Sequence, residues 1–349
     1  MSNNSEISLT LDEAMKLFPK VLQKKVQYSV DLLRKAEKLA KAYDPDNGYY
    51  LAFSGGKDSQ ALYHVAKLAG VKFKAHMNFT SVDPADVIRF VRREYPDVHT
   101  IPPKDSIYNI AIRKRFLPTR RVRWCCQEFK EAAGAGKVTL IGIRHAESFR
   151  RSKRNEVEIN NRKYSGDLDG LDDYRKEYFS KPRNKAKAVT IVNAEGEQTI
   201  GCISGKESIL ISPIIHWTED DVWTFLNAIG AKHCNLYDEG RTRIGCIICP
   251  MSNHKLKAHD AERFPHVKRN WIKAIKAIRK EQPFLNGYIW WNVPGGNTPP
   301  EPTEAQLDEI AENIFDYWIS DKNYKEWYAE KIQQKTIDFD NDKQPDKKQ

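Results

Sequence analysis

The chain has 349 residues, of which 40% are hydrophobic and 30% charged, so it is long enough to bury a full core. No apolar run approaches the roughly 20 residues that a membrane-spanning helix needs, and the first residues lack the basic and apolar segments of a signal peptide. We therefore expect a cytoplasmic globular protein without a membrane partner. In that compartment its six cysteines are expected to be metal ligands or redox groups rather than disulfides.

The first 45 residues are predicted to form a helical lead-in. Residues 9–14 have the composition of a capped helix start, and apolar residues recur at near-helical intervals from Val21 to Leu39. We expect this segment to pack against a sheet that begins near residue 46.

A strand, a glycine turn and a helix start follow one another over residues 49–68. An apolar run of strand length leads into Ser-Gly-Gly-Lys-Asp-Ser, and the residues after it have the apolar spacing of a helix. The unpaired N–H groups and the dipole of a helix start attract anions, and glycines let the backbone approach a phosphate closely. The segment therefore predicts a phosphate cradle made by Ser54, Gly55, Gly56, Lys57, Asp58 and Ser59.

The cradle residues have distinct expected roles. Lys57 would supply a positive charge for phosphate oxygens, Asp58 would hold a Mg²⁺ ion, and the two serines would donate hydrogen bonds. The spacing is not that of a Walker A motif, because the lysine directly follows the glycine pair. The string resembles the PP-loop of the adenine-nucleotide α-hydrolases, a superfamily of ATP pyrophosphatases, thiolation enzymes and sulfonucleotide reductases. An ordinary glycine turn without a ligand is the alternative interpretation.

Strands and helices alternate beyond the cradle. Residues 71–79 and 98–101 are predicted strands, a helix follows Asp83 to about Tyr95, and residues 137–143 form another buried strand that ends at Arg144. This alternation predicts an α/β fold with a doubly wound parallel sheet, here of the PP-loop type with helical extensions at both ends. Ligands of such sheets bind at the carboxyl ends of strands, where Ser54 and Arg144 both fall.

Positive charge is concentrated between Arg113 and Arg154. This stretch contains 13 Lys and Arg residues against three glutamates, whereas the whole chain has a net charge of +10. Such a concentration predicts an anionic partner, either a nucleotide or a DNA or RNA acceptor bound along residues 113–154.

Four cysteines have the spacing of a metal site: Cys125, Cys126, Cys246 and Cys249. Four thiolates can bind zinc or an iron–sulfur cluster. Adjacent cysteines suit a closed tetrahedral zinc site poorly, whereas a cubane cluster separates its irons and accepts neighbouring ligands more readily. The pattern therefore favours a 4Fe–4S cluster, with a structural zinc or unliganded core cysteines as the alternatives.

Several strings resemble the phosphoadenosine phosphosulfate (PAPS) reductase family over roughly residues 45–265. Residues 118–130 are similar to its R-x-C-C…K segment and residues 142–151 to its G-x-R-x-x-E-S-x-x-R segment, while residues 213–223 and 236–246 are similar to its C-terminal half. The cysteine pattern resembles the 4Fe–4S ligand set of the adenylylsulfate reductases.

The resemblance also implies roles for individual residues. Glu147 would orient an arginine or help to bind Mg²⁺. Cationic side chains would bind phosphate or sulfate oxygens, and Arg can do so with two parallel hydrogen bonds. These cations are Arg123, Lys130, Arg144 and Arg151.

The remaining segments complete a predicted domain plan. Polar residues 152–208 are interpreted as an insertion or flexible arm with a hairpin near 188–203, and helices are expected from Thr218, from about 255 to 281, and over 304–314 and 323–335. The tail from Asp338 is charged and expected to be disordered. The predicted parts are residues 1–45, 46–265, 266–337 and 338–349.

One departure from the family bears on the reaction. The sulfite-releasing reductases use a cysteine nucleophile near the C-terminus, and no cysteine follows Cys249 in this chain. The sequence therefore favours an ATP pyrophosphatase that cleaves ATP to AMP and pyrophosphate and adenylates an acceptor. A sulfur donor protein would then supply the sulfur. Such an enzyme would resemble those of DNA phosphorothioation or tRNA thiolation. The alternatives are a reductase of PAPS or adenylylsulfate, and a non-catalytic nucleotide-sensing or nucleic-acid-binding module.

Overall fold

The structure, a computed structural model, describes residues 9–131, 134–159, 164–181, 190–192, 198–200, 208–281, 303–323, 325–331 and 333. Its strands form a seven-stranded sheet and a two-stranded hairpin. In chain order the strands are β1 (Tyr49–Ala52), β2 (Phe73–Asn78), β3 (His99–Ile101), β4 (Val138–Leu140), β5 (Val157–Ile159), β6 (Tyr164–Gly166), β7 (Thr190–Val192), β8 (Gln198–Ile200) and β9 (Ile209–Ile211).

The order of strands in the large sheet is β3-β2-β1-β4-β9-β5-β6. The first five strands of this order run parallel, while β5 and β6 are antiparallel additions at one edge. The chain adds β2 and β3 on one side of β1 and then returns to add β4 and β9 on the other side. The α/β prediction is thus confirmed, and the switch point, where such sheets bind ligands, lies between β1 and β4.

The described part of the chain also contains eleven α-helices with both ends defined, besides the helical residues 325–331. None of them is both long enough and apolar enough to cross a bilayer. In chain order they are α1 (Leu11–Leu17), α2 (Lys20–Tyr43), α3 (Lys57–Ala69), α4 (Ala85–Glu94), α5 (Ile107–Lys114), α6 (Trp124–Cys126), α7 (Leu168–Ser180), α8 (Glu219–Ala228), α9 (His254–Arg263), α10 (Pro265–Glu281) and α11 (Glu304–Ser320).

The predicted N-terminal helix is present but consists of two helices. Thr10 and Glu13 exchange hydrogen bonds in a capping box that starts α1. The break lies at Phe18, which is extended because the residue before a proline avoids the helical conformation. The buried face of α2, with Val26 and Leu33, belongs to the same hydrophobic core as the sheet, so the lead-in is an integral part of that core.

The first part of the polar segment 152–208 extends the sheet. Strand β5 pairs antiparallel with β9, and β6 pairs with β5. Val157 and Ile159 lie in the hydrophobic core, and the intervening Glu158 is neutralised by Arg154 at 2.6 Å. Residues 157–159 and 164–180 are therefore strands and a helix instead of a flexible arm. The sequence looked polar there because the charge of Glu158 is compensated only in the folded chain.

The second part of this segment holds the predicted hairpin. Strands β7 and β8 pair antiparallel, so the hairpin is confirmed. The adjoining residues 182–189, 193–197 and 201–207 lie outside the described residues.

The chain divides into two compact units. The first consists of Met1–Phe79, Asp83–Pro103 and Cys126–Gly245 and contains the seven-stranded sheet; the second consists of Thr80–Val82, Lys104–Cys125 and Cys246–Gln349. This division differs from the boundary placed at residue 265 from the sequence, because the second unit gathers helices from separate parts of the chain.

Packing around one tryptophan explains how the second unit is assembled. Trp271 of α10 is buried, with its ring centroid 5.0 Å from that of Tyr108 in α5 and 4.9 Å from that of Trp318 in α11. Residues 325–331 are helical, as predicted. The predicted charged tail from residue 338 lies outside the described residues.

Gly142 allows the end of β4 to approach the first turn of α3. A Cβ atom at this position would lie 3.0 Å from the carbonyl oxygen of Asp58 and 3.3 Å from the amide nitrogen of Ser59. Both neighbours are backbone atoms of a helix, which cannot move aside as the end of a flexible side chain can. The glycine therefore sets the spacing of two segments that meet at the switch point.

We predict that Gly142→Ala lowers the free energy of unfolding by about 1–3 kcal/mol, the usual cost of overpacking. Urea denaturation of both proteins measures this difference. The matched control is Gly245→Ala, because no atom lies within 4 Å of a Cβ built there, and it should change the free energy by less than about 0.5 kcal/mol. Equal losses in the two variants would contradict the close-approach argument.

Candidate active site

The loop between β1 and α3 is held in shape by its own side chains and backbone. Gly55 has φ +73°, and a Cβ there would lie 2.9 Å from side-chain atoms of Val87 and Val91, so only glycine fits without strain. The hydroxyl of Ser59 accepts the N–H of Ser54 at 3.1 Å and donates to the carbonyl of Gly56 at 2.8 Å. The predicted cradle is thus a tight loop that leads into a helix N-terminus.

Lys57, the first residue of α3, is almost completely buried, with 3% of its surface exposed. Its backbone N–H donates to the hydroxyl of Tyr237 at 2.8 Å, and its ammonium group donates to the carbonyl oxygen of Thr242 at 2.8 Å. The ammonium nitrogen also lies 3.5 Å from a carboxylate oxygen of Glu219 and 3.9 Å from one of Asp58. The lysine is therefore held by partners far away in sequence.

Arg144 lies just beyond β4 and has only 2% of its surface exposed. Its Nε donates to the Oδ1 atom of Asp58 at 2.6 Å, and its backbone N–H donates to Glu147 at 3.0 Å. The second carboxylate oxygen of Glu147 accepts a hydrogen bond from Arg151. The structure thus connects all five residues predicted to be catalytic, from Lys57 through Asp58, Arg144 and Glu147 to Arg151.

Several cations surround this network. Burial lowers the pKa of Arg151, and the positive charges of Arg243, Arg154 and Arg144 lower it further, while Asp58 opposes them. Like charges held this close favour the binding of an anion that several of them can share. The arrangement can therefore bind a ligand with several phosphate or sulfate oxygens.

Four residues of this site were not singled out from the sequence: Glu219, Tyr237, Thr242 and Arg243. Each contacts or acts on the network from a position 92 to 185 residues away along the chain, so no local periodicity indicates them. Tyr237 belongs to a string that resembles the PAPS reductase family, and that is the one signal that could have found it. Burial raises the pKa of Tyr237, so its phenol stays protonated.

Two further residues predicted to bind the anion, Arg123 and Lys130, lie in other parts of the fold. Arg123 belongs to the second unit and Lys130 to the first, within a short π-helical turn at Gln127–Glu131, and both side chains are exposed. Their assignment to nucleotide binding stays a prediction.

The Cys246–Cys249 turn is built by specific contacts within the second unit. Ile248 has φ +53°, and its N–H donates to the buried carboxylate of Asp260 at 2.9 Å. The Sγ atom of Cys246 lies 3.4 Å from the hydroxyl oxygen of Thr80. These contacts fix the turn that carries two of the four predicted ligand thiols.

The predicted ligand cysteines are of intermediate burial. Within the described ranges, no three His, Cys, Asp or Glu side chains are grouped to hold a single metal ion. The assignment of these cysteines to a 4Fe–4S cluster, with a structural zinc as the alternative, therefore stays a prediction.

In the described part of the chain, six of the 13 cations of the basic stretch are paired with carboxylates, five of which lie outside the stretch. The stretch is also divided, since its part up to Cys125 belongs to the second unit and the rest to the first. The ion pairs are Arg113–Asp105, Arg120–Asp321, Lys137–Asp44, Arg144–Asp58, Arg151–Glu147 and Arg154–Glu158. The charge count of the sequence therefore overstates the positive surface that a nucleic acid could contact.

Comparison with solved structures gives distant similarities. The FMN adenylyltransferase of Candida glabrata, in complex with FAD and inorganic pyrophosphate, is 14% identical over 68% of each chain, with a TM-score of 0.40. The PAPS reductase of Candida auris, a phosphate complex, is 15% identical over 69% of this chain and 98% of that one, with a TM-score of 0.35.

Curated relatives are more similar in sequence. Two uncharacterized proteins of Methanocaldococcus jannaschii are 24% identical over 84% of this chain and 22% identical over 68% of it; the alignments cover 61% and 44% of those proteins. The chain thus spans about half of the length of these relatives. An adenosine 5'-phosphosulfate reductase of Oceanobacillus iheyensis is 44% identical over 43 residues, which are 12% of this chain and 18% of that enzyme.

Family models place the chain more firmly. Residues 48–252, more than half of the chain, match the model of the phosphoadenosine phosphosulfate reductase domain. This range includes the glycine loop, the Arg144–Arg151 segment and all four predicted ligand cysteines. The chain therefore belongs to the phosphoadenosine phosphosulfate reductase domain family.

Proposed function

We propose that this chain is a PP-loop nucleotide α-hydrolase that cleaves ATP to AMP and pyrophosphate and adenylates an acceptor oxygen. The observation that carries the proposal is the connected network of Lys57, Asp58 and Arg144 at the switch point between β1 and β4. A helix N-terminus, a buried lysine and a buried arginine converge there, as the binding of a polyphosphate requires.

The proposed reaction assigns each group a task. The acceptor oxygen attacks the α-phosphorus of ATP, the bond to the β-phosphate oxygen breaks, and pyrophosphate leaves. Lys57 and the N–H groups of the loop stabilise the negative charge that develops on the leaving group. Arg144 and Arg151 bind phosphoryl oxygens on the side of β4, and Asp58 and Glu147 are the carboxylates that would hold Mg²⁺. That ion would supply further neutralisation of phosphate charge.

Sulfur transfer would follow adenylation. A sulfur nucleophile from a donor protein displaces AMP from the adenylated acceptor, so the sulfur takes the place of the acceptor oxygen. The proposed sulfur nucleophile is external, whereas a sulfonucleotide reductase attacks sulfur with a cysteine of its own. This difference separates the proposal from sulfonucleotide reduction.

We expect the protein, prepared without oxygen and supplied with Mg²⁺ and α-labelled ATP, to release AMP, and to release it faster with the right nucleic acid. Arg144→Ala should lower the rate about 100-fold, which is the usual effect of removing one preorganised donor. The variant also removes the guanidinium that lies 2.6 Å from Asp58. The measurement is the rate of AMP formation.

The matched control for this variant is Arg89→Ala, which removes an exposed arginine paired only within α4. It should leave AMP release unchanged. If Arg144→Ala turns over like the wild type, Arg144 has no part in the reaction. If the wild type forms no AMP under any condition, the α-hydrolase proposal fails, and PAPS is the next substrate to test.

A nucleic acid is the acceptor that the exposed charges favour. Phe149 has 76% of its surface exposed, and the ammonium nitrogen of Lys153 lies 4.3 Å from the centre of its ring. Arg150 and Lys153 are exposed and have no acidic partner in the part of the chain that the structure describes. Backbone hydrogen bonds from Arg151 and Ser152 to Ser148 hold the turn in shape. An exposed aromatic ring among cations is the kind of surface on which an unpaired base stacks.

Phe149→Ala should weaken the binding of a single-stranded oligonucleotide about 10-fold, since stacking contributes about 1–3 kcal/mol per base. Fluorescence anisotropy measures the affinity at several salt concentrations. The slope against log[salt] should not change, because the substitution removes no charge. Phe149→Trp should retain the affinity.

Charge variants separate stacking from phosphate contacts. Arg150→Gln combined with Lys153→Gln should reduce the salt slope by about 1.4, at about 0.7 for each phosphate contact to a single strand. Val21→Ala, at another exposed apolar position, is the control for the phenylalanine. Equal affinity of Phe149→Ala and the wild type would show that this turn does not bind the acceptor.

We further propose that Cys125, Cys126, Cys246 and Cys249 hold a 4Fe–4S cluster. The support is the four-cysteine pattern, which lies within the residues that match the family model, and the contacts that shape the 246–249 turn. The cluster would supply a site for sulfide or would brace the fold around it.

Protein purified without oxygen should be brown and contain about four irons per chain. Metal analysis measures the iron content, and the absorbance spectrum measures the colour. Asp260→Asn keeps a hydrogen-bond acceptor for the N–H of Ile248 and should retain iron, whereas Cys249→Ser should lose it. One zinc and no iron would overturn the cluster proposal in favour of the structural zinc.

A further inference from the structure

Residues 237–244, the 237–244 loop, lie directly over the phosphate cradle. The Tyr237 hydroxyl oxygen accepts the backbone N–H of Lys57, and the Thr242 carbonyl oxygen accepts a hydrogen bond from its ammonium group, both at 2.8 Å. A Cβ atom added at Gly56 would lie 3.5 Å from the Tyr237 hydroxyl and 3.9 Å from the Cβ of Ile244. Two uncharged oxygens of the 237–244 loop thus accept hydrogen bonds from two separate donor groups of Lys57.

These two donors are the ones that a phosphate group would use. The N–H at the start of α3 points along the helix dipole, and the ammonium group carries a full charge. A hydrogen bond to a charged partner is about twice as strong as one between neutral groups. A polyphosphate can therefore displace the phenol and the carbonyl, but only after giving up part of its binding free energy to do so.

We propose that the 237–244 loop is a competitive latch: the Tyr237 hydroxyl and the Thr242 carbonyl hold the donors of Lys57, and the phosphates of a nucleotide must displace them to bind. The latch rests on the proposed function, since it requires that the cradle bind phosphates. It makes Tyr237 a residue that weakens nucleotide binding, the opposite of a ligand donor.

The structure of the loop suits it to displacement. Its turns rest on hydrogen bonds of its own backbone, from Gly240 to Tyr237 at 3.0 Å and from Arg241 to Leu236 at 3.2 Å. Gly240 is exposed at φ +87°, with no atom within 4 Å of a Cβ built there. Thr242 is also exposed. The exposed residues of the tip can therefore move freely, whereas the buried Arg241 between them is packed and has to shift with them.

Two features act on the closed loop in opposite directions. The ring of Tyr237 packs edge-on against that of Trp223 at 5.0 Å, which favours the closed position. The positive charge of Arg243 repels that of Arg151 and is one cause of the lowered pKa of Arg151. An anion that binds both arginines would relieve this repulsion, which favours displacement of the loop by a polyanion.

Tyr237→Phe tests the latch, because it removes the hydroxyl and keeps the ring on Trp223. The variant should bind inorganic pyrophosphate about 2- to 10-fold more tightly than the wild type, because one net hydrogen bond contributes a free energy in that range. Isothermal titration calorimetry measures the two affinities. Without any ligand, the amide of Lys57 should exchange its hydrogen faster in the variant. The matched control is Tyr49→Phe, whose buried hydroxyl donates to Leu33 of α2; it should change neither quantity.

The outcomes separate the latch from the function on which it rests. Tighter binding of pyrophosphate by Tyr237→Phe, with faster exchange at Lys57, supports the latch. Equal or weaker binding by the variant overturns the latch alone, and weaker binding would make the hydroxyl a ligand of the anion. If neither protein binds pyrophosphate or ATP, the proposed nucleotide site fails and the latch fails with it.

Discussion

The buried ion pair between Arg144 and Asp58 is the contact on which the rest of the site depends. A guanidinium with 2% of its surface exposed is tolerable only when its charge is compensated. Asp58 supplies that compensation from the first turn of α3, at 2.6 Å. The pair therefore ties the end of β4 to the helix that follows β1, and Gly142 is what lets the two backbones come close enough. Removing Asp58 would leave the buried guanidinium of Arg144 without this compensation.

The sequence predicted the local parts of this arrangement well. The loop of residues 54–59 and Arg144 could both be assigned because each directly follows a strand, and a parallel sheet brings such positions to one edge. The α/β class followed from long stretches of alternating strands and helices. In each of these cases the signal is a motif or a hydrophobic period that spans neighbouring residues of the sequence.

Contacts between distant residues could not be predicted in the same way. Nothing near Tyr237 in sequence indicates that its hydroxyl accepts the N–H of Lys57, 180 residues earlier. The three residues of β5 are too few to show a period, and the charge of Glu158 disguises them until Arg154 is seen beside it. Part of the pairing within the basic stretch was hidden for the same reason, because an acidic partner such as Asp321 lies far away along the chain.

Charge balance in the network bears on which ligand it suits. As the structure stands, Asp58 is shared by the charges of Arg144 and Lys57, while Glu147 pairs with the guanidinium of Arg151 and accepts the backbone N–H of Arg144. An anion alone would have to take cations away from carboxylates that are partly buried, and it would leave those carboxylates uncompensated. A polyphosphate that arrives with a divalent cation avoids this cost, since its oxygens replace the carboxylates at the guanidinium groups while the released carboxylates gain a metal to bind. The same exchange frees Lys57 from the neutral oxygens of the 237–244 loop. A network of this composition therefore suits a metal-bound nucleotide better than a simple anion.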